Sequence, residues 1–320
     1  MPHRLKRGGG LIEMNSDGSI DVTSGAGFRV NGAGLAYKRG QTWFVDPNDG
    51  SDTLNTGKTW TSPYATMSKA FSVLSSGDTI LFVGKVREQL TTPVQVFDVT
   101  IIGAGNRPRH ADSTPAGGEE AAATWTTPAS GATTAPLCDV LQQGWKFVNT
   151  LFAGPSDHSC VRLYRDGGAG DAERDASHAE FHGCRFASGQ DGIEQSGGCY
   201  NVGIFDCSFH DLTGYALKHT AGAGIANPYR WQIHRNRFHK NANFMGVWNT
   251  HNFEIHDNTI LRTTTALIDL SGGEGYNTIL RNAWDIAAAD FDPTGGVTGH
   301  STDVWSNYLK DALESGLPAN

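Results

Sequence analysis

The sequence predicts an all-β fold, a single parallel β-helix with a short helix capping each end, and three observations carry the prediction. Of 320 residues, 40 are glycine, 4 are methionine and 18% are charged, a balance that suits turns and strands and not a helical bundle. An internal repeat follows. The segments WKFVNTLF from Trp145, AEFHGCRF from Ala179, VGIFDCSF from Val202, WQIHRNRF from Trp231, FEIHDNTI from Phe253 and NTILRNAW from Asn277 start 34, 23, 29, 22 and 24 residues apart. That is the period of one supersecondary unit with insertions in two loops. Thirdly, no tight Asn-Gly or Asp-Gly turn joins the apolar segments within a unit, which argues against hairpins and for parallel pairing of like segments in successive coils.

The elements follow in order. Residues 1–40 carry six Lys or Arg against three acids, whereas the remainder carries 19 bases and 30 acids. Within this first stretch, residues 11–37 alternate in short apolar and polar runs with too few apolar residues for a core, so 1–40 reads as an attachment arm. The main body, 41–290, opens at Trp43-Phe44-Val45-Asp46. Pro63 then begins a helical pattern over 63–75, with Tyr64, Met67, Ala70, Phe71 and Leu74 spaced by three and four. Strands are expected at 79–83, 85–90 and 99–102, and an irregular excursion at 104–136.

In the repeat, positions 1, 3 and 8 of each segment should point inward. Phe147, Phe181, Ile204, Ile233, Ile255 and Ile279 then form one row, and Phe152, Phe186, Phe209, Phe238, Ile260 and Trp284 another. Position 6 reads Thr150, Cys184, Cys207, Asn236, Asn258, Asn282, where amides can bond along the stack. At position 5, Asp206, Arg235, Asp257 and Arg281 alternate in charge, which supports the register. A second segment in each unit, at Gly192-Ile193-Glu194, Ala216-Leu217-Lys218, Gly246-Val247-Trp248 and Ala266-Leu267-Ile268, supplies another face. The tail, 291–320, should close the stack through a short helix over 302–314.

Function is narrowed by exclusion. A formal charge of -8 argues against nucleic acid, and no run is long and apolar enough for a membrane. The basic tip MPHRLKR runs into glycines with no apolar core, so no signal peptide is read and synthesis in the cytoplasm is expected. Cys138, Cys160, Cys184, Cys199 and Cys207 show no C-x-x-C spacing and read as reduced thiols. Gly57-Lys58-Thr59 lacks the glycine a phosphate loop requires at position 52, and the Asp46–Asp52 stretch departs from a calcium loop. His182, His234 and His256 share position 4 and face outward as a polar ladder, so no metal or other cofactor is expected.

A carbohydrate enzyme needs paired carboxylates, or a base with a cation that neutralises a uronate. The outward lane of the second segments offers such types: Arg162, Glu194, Lys218 and Trp248 as ligand-binding residues, with Asp191, Glu194, Asp211, Lys218 and His219 as the catalytic candidates if the protein is an enzyme. Trp248 would be stacked on a sugar ring or buried in a contact. Any solvated β-helix face offers similar residues, and no catalytic set is assigned.

WFVDPNDGSD, SPYATMSKAFSVLSSGDTILFVGKVRE and the later coils resemble the right-handed parallel β-helix, or pectin-lyase-like, superfamily over residues 42–285. The resemblance implies a right-handed solenoid capped by the first helix. It spans polysaccharide lyases, glycoside hydrolases and bacteriophage spikes or fibres. The arm's IDVTSGAGFRVNGAGL is similar to leaders that attach phage structural proteins to a particle. The expectation is therefore a structural protein of a bacteriophage virion (head decoration, fibre or tail spike), trimeric, held to other virion proteins by its arm and able to bind host glycans. The alternative is a lyase or hydrolase of acidic polysaccharide.

Overall fold

In the computed structural model the described residues are 3–7, 10–14, 20–23, 29–30, 33–34, 40–105, 123–129, 135–165, 174–220, 228–245, 251–261, 268–269, 276–285, 297–298 and 304–309. The chain divides into two compact units, Met1–Gly40 and Gln41–Asn320. In the first, His3–Arg7, Gly10–Met14 and Ile20–Thr23 form an antiparallel three-stranded sheet, and Arg29–Val30 pairs with Ala33–Gly34.

The second unit is a parallel β-helix. Each coil from Lys146 to Leu261 begins with two three-residue strands, as in Lys146–Val148 and Leu151–Ala153, then Glu180–His182 and Arg185–Ala187, and in the next coil the pair is merged into Thr278–Asp285. Each strand pairs in parallel with its counterpart one coil on. One row runs Phe147, Phe181, Ile204, Ile233, Ile255, Ile279 in register, as the repeat predicts. Another runs Phe152, Phe186, Phe209, Phe238, Ile260, Trp284.

Up to Leu261 the eight-residue segment is not one strand. Its fifth residue adopts a left-handed backbone in every coil: Asn149, Gly183, Asp206, Arg235, Asp257 and Arg281 have φ between 51° and 61°. This bend lets positions 3 and 8 both face inward although an odd spacing in a straight strand would separate them. Asn, Asp and Gly accept such a backbone at low cost, whereas Arg does not. The arginines are held there by two-pronged bonds, Arg235 to Asp206 at 2.9 Å on both prongs and Arg281 to Asp257 at 2.7 and 2.8 Å.

Stacking fills the interior. Phe147 lies 5.1 Å from Phe181 and Phe186 lies 4.6 Å from Phe209, with rings within 9° of parallel. At position 6 the expected amide ladder forms. Asn236 Nδ2 donates to Ile204 O and to Asn258 Oδ1, and Asn258 Nδ2 donates to Ile233 O and to Asn282 Oδ1. Each side-chain oxygen also accepts the backbone N–H of the preceding rung, so these buried amides satisfy both the corner and themselves. A third face is a six-stranded parallel sheet through Leu90–Thr91, Cys138–Val140, Ser159–Tyr164, Asp191–Ser196, Tyr215–Thr220 and Asn243–Met245.

Both ends depart from expectation. The capping helix is one turn, Met67–Phe71, and Pro63 lies before it; Thr66 is the N-cap, its Oγ1 accepting the Lys69 N–H. Glu88 accepts the Met67 and Ser68 N–H groups at 2.8 and 2.9 Å, so the residue just after the strand Lys85–Arg87 finishes the cap that the helix itself is too short to complete. Phe71 meets Trp125 and Trp145 edge-on. At the other end Val304–Leu309 is a strand, not the expected helix, and pairs in parallel with Thr278–Asp285. A strand meets the open N–H and C=O groups of a stack end directly, and a helix cannot. Among the described residues no helix is long and apolar enough to cross a membrane.

Candidate functional site

The second-segment lane forms in part. Register places Asp139, Arg162, Glu194 and Lys218 side by side on consecutive strands, a ladder of alternating charge. Arg162 grips Asp139 with Nε and a terminal nitrogen at 2.7 and 2.8 Å. Burial works to lower the Arg162 pKa, but this bond and the Asp139 and Glu194 charges outweigh it and raise it. Glu194 accepts from Ser159 and Thr220, each at 2.7 Å. Asp191 is buried and accepts from Lys218 Nζ at 2.9 Å and Tyr215 N at 2.8 Å. His219 meets Gln195, and burial lowers its pKa. Asp211 lies elsewhere, at a corner with φ 53°, paired with His210 at 2.7 Å. Every candidate carboxylate here is engaged by a neighbour, as befits a ladder that holds coils together.

Trp248 lies outside the described residues. The register does not lead the lane to it: Leu217 lies opposite Met245, where the lane required Val247. A two-residue shift keeps the inward face inward, so the apolar pattern did not reveal it.

All five cysteines are free and buried, and burial pushes the Cys160 pKa up to about 12. Cys184 and Cys207 point their sulfurs at the Phe147 and Phe181 carbonyls.

A different place combines exposure with chemistry. The residue just before each repeat segment is also left-handed, at Gly144 with φ 74° and at His178, Asn201, Arg230, Asn252 and Tyr276 with φ between 54° and 63°. This corner and position 2 of the following strand bound a groove of about 350 Å3, lined by Arg230, Glu254 and Tyr276 and by the amides of Asn201, Gln232 and Asn252. Tyr276 is 60% exposed. Tyr200, Tyr229 and His251 are bridged in parallel just behind it. Tyr229 stacks on His251 at 5.0 Å, and the Arg165 and Arg230 guanidiniums sit over Tyr200 and Tyr229. Sequence reading missed Arg230, Asn252 and Tyr276, because the corner shows no repeated residue type; the signal was only their constant place before each segment.

Beside the groove, the position-4 ladder is broken by Phe205, which packs between His182 and His234. His234 and His256 stack at 3.6 Å, and with Glu254 their ligand atoms lie within 4.8 Å of one another. Burial, then the neighbouring His256, lowers the His234 pKa to about 4.

Comparison with known proteins agrees with this architecture. Residues 173–285 match the family model described as right handed beta helix region. The fold is that of a right-handed parallel β-helix. A crystal structure of pectate lyase Pel9A superposes with a TM-score of 0.54 at 13% identity, over 84% of this chain and 74% of that one. An alginate lyase from Paenibacillus sp. str. FPU-7 gives a TM-score of 0.47 at 12% identity, over 84% and 95%. No curated protein matches the sequence.

Proposed function

We propose that this β-helix binds a carboxylate-bearing polysaccharide along the corner groove and acts on it as a lyase. The observation that carries the reading is the exposed Tyr276 beside Arg230 and three amides in an open groove. An aromatic face suits a sugar ring, amides suit hydroxyls, and a guanidinium suits a carboxylate. The coils are stacked about 4.8 Å apart, so a groove crossing several of them suits an extended strand. Hydrolysis by the usual route needs two carboxylates, whereas among the described residues the groove has Glu254 alone beside a cation, a set better suited to eliminating next to a neutralised uronate. The likeness of the fold to a pectate lyase supports the same substrate class.

Affinity electrophoresis with polygalacturonate, alginate and a neutral glucan tests the reading. Wild type should be retarded by a uronate polymer and not by the glucan, and Tyr276→Ala or Arg230→Ala should weaken this at least ten-fold. Equal retardation by the neutral glucan, or no effect of either substitution, would overturn it. Release of unsaturated uronates distinguishes elimination from hydrolysis, which yields new saturated reducing ends.

The separate N-terminal unit, with its own antiparallel sheet, supports a second reading in which Met1–Gly40 fastens a trimeric spike or decoration protein to a virion. Co-sedimentation with particles, lost on removing residues 1–40, tests it.

A further inference from the structure

We propose that His234, Glu254 and His256 form a binding site for a divalent transition-metal cation of the zinc class. The site does not rest on the glycan reading, although Glu254 also lines the groove.

The parallel register creates it. His234 lies opposite His256 and Gln232 opposite Glu254, so two imidazoles and a carboxylate from adjacent coils converge on one outward face, with ligand atoms within 4.8 Å of one another. His234 Nε2 is buried and has no hydrogen-bond partner, and Glu254 Oε2 stands 3.6 Å away, too far for a hydrogen bond. Around a tetrahedral zinc with bonds of about 2.0–2.2 Å, neighbouring ligand atoms lie about 3.3–3.6 Å apart, so this gap has the width of a bridged pair. A bound cation would give the orphaned nitrogen the partner it lacks.

His256 is prepared in the way that metal ligands commonly are. Its Nδ1 lies 2.7 Å from Asp257 Oδ2, and Asp257 is itself held by Arg281. A proton on Nδ1 shared with that carboxylate fixes the tautomer and leaves Nε2 with its lone pair outward.

The neighbouring coils bound the site. One coil before His234, the same two positions hold Gly203 and Phe205, which donate nothing; one coil after His256, they hold Thr278 and Leu280. Further back, Glu180 and His182 repeat the residue types, but Lys146 already neutralises Glu180. Two imidazoles and one carboxylate suit zinc, cobalt or nickel and not calcium or magnesium, which prefer all-oxygen shells. Three protein ligands leave a fourth position for water or for an oxygen of a groove ligand.

The test is zinc titration of the full chain after chelator dialysis, followed by calorimetry, with cobalt as an optical probe. One equivalent should bind with micromolar or tighter affinity, cobalt should show the visible bands of a tetrahedral site, and calcium in excess should not compete. His234→Asn, His256→Gln and Glu254→Gln should each weaken zinc binding at least ten-fold while the metal-free thermal midpoint and circular dichroism stay near wild type. Should one variant fail to fold, the other two carry the comparison. Absence of stoichiometric binding, affinity unchanged in the folded variants, or displacement by calcium overturns the site.

Discussion

Lys218 Nζ lies 2.9 Å from a carboxylate oxygen of Asp191, whose side chain is 2% exposed. That bond decides how the second-sheet face is to be read. A carboxylate this buried, held also by the Tyr215 N–H, is committed to joining coils. Asp191→Ala should therefore destabilise the fold by about 2–4 kcal/mol, since it strands the Lys218 ammonium and the Tyr215 N–H. Lys218→Met should cost as much, about 2–4 kcal/mol, because it leaves the buried Asp191 carboxylate without its cation. Urea unfolding measures both. Unchanged stability in Asp191→Ala together with lost polysaccharide turnover would return Asp191 to a catalytic role.

The amide ladder stops at Cys207, whose backbone N–H already bonds Asn236 Oδ1 and whose sulfur lies 3.5 Å from Phe181 O. Those are the places an asparagine's groups fill one coil on. Cys207→Asn should add a rung and stabilise by about 0.5–1 kcal/mol, whereas Asn258→Leu, which removes bonds on both sides, should cost about 2–4 kcal/mol. Thermal midpoints moving in opposite directions are the expected result.

At the corner before the second strand, Arg235 combines a left-handed backbone with a surface ion pair to Asp206. Arg235→Gly relieves about 1 kcal/mol of backbone cost and gives up about 0.5 kcal/mol of exposed ion pairing, so stability should change by less than about 1 kcal/mol. In contrast Gly183→Ala, at φ 61° with no compensating partner, should cost about 1 kcal/mol. A loss above about 2 kcal/mol in Arg235→Gly would mean that the ion pair, not the backbone, dominates that corner.

Burial alone would raise the Glu180 pKa, but hydrogen bonds from His182 and Lys146 outweigh it and bring the pKa down to about 2, from an ordinary value of 4.5. The folded state thus holds fewer protons than the unfolded one in that interval, and the contribution of Glu180 to stability, full above about 4.5, is lost as pH falls toward about 2. Lys146→Met should be less stable by about 0.5–1 kcal/mol at neutral pH, a figure kept small because both partners are partly exposed. The difference should narrow between pH 5 and pH 3 in urea titrations. A gap that stays constant across that range would show that Lys146 acts through packing alone.

The two apolar rows, the asparagine rungs and the Asp–Arg pairs were all legible in the sequence, because a solenoid writes the same residue into the same place every coil and each such place touches mainly its own copies. The ends were not legible in that way. The pattern over 302–314 satisfies helical spacing as well as it does a strand, and only the open edge at Thr278–Asp285 favours the strand form of Val304–Leu309. The capping helix is shortened to Met67–Phe71 because Phe71 must reach Trp125 and Trp145 while Glu88 takes its first N–H groups.

Sequence by itself thus determined the solenoid, its interior rows and the residue types on each face, since hydrophobic periodicity and stacking are local to the repeat. Which polar residues face one another was decided by tertiary structure. The left-handed corners, placed before the segment and at its fifth residue, bring Arg230 and Tyr276 to one groove and set His234 against His256 and Glu254. Backbone dihedrals leave no repeated side chain when Asn, Arg, His and Tyr all adopt them, so that arrangement appears only once the coils are wound.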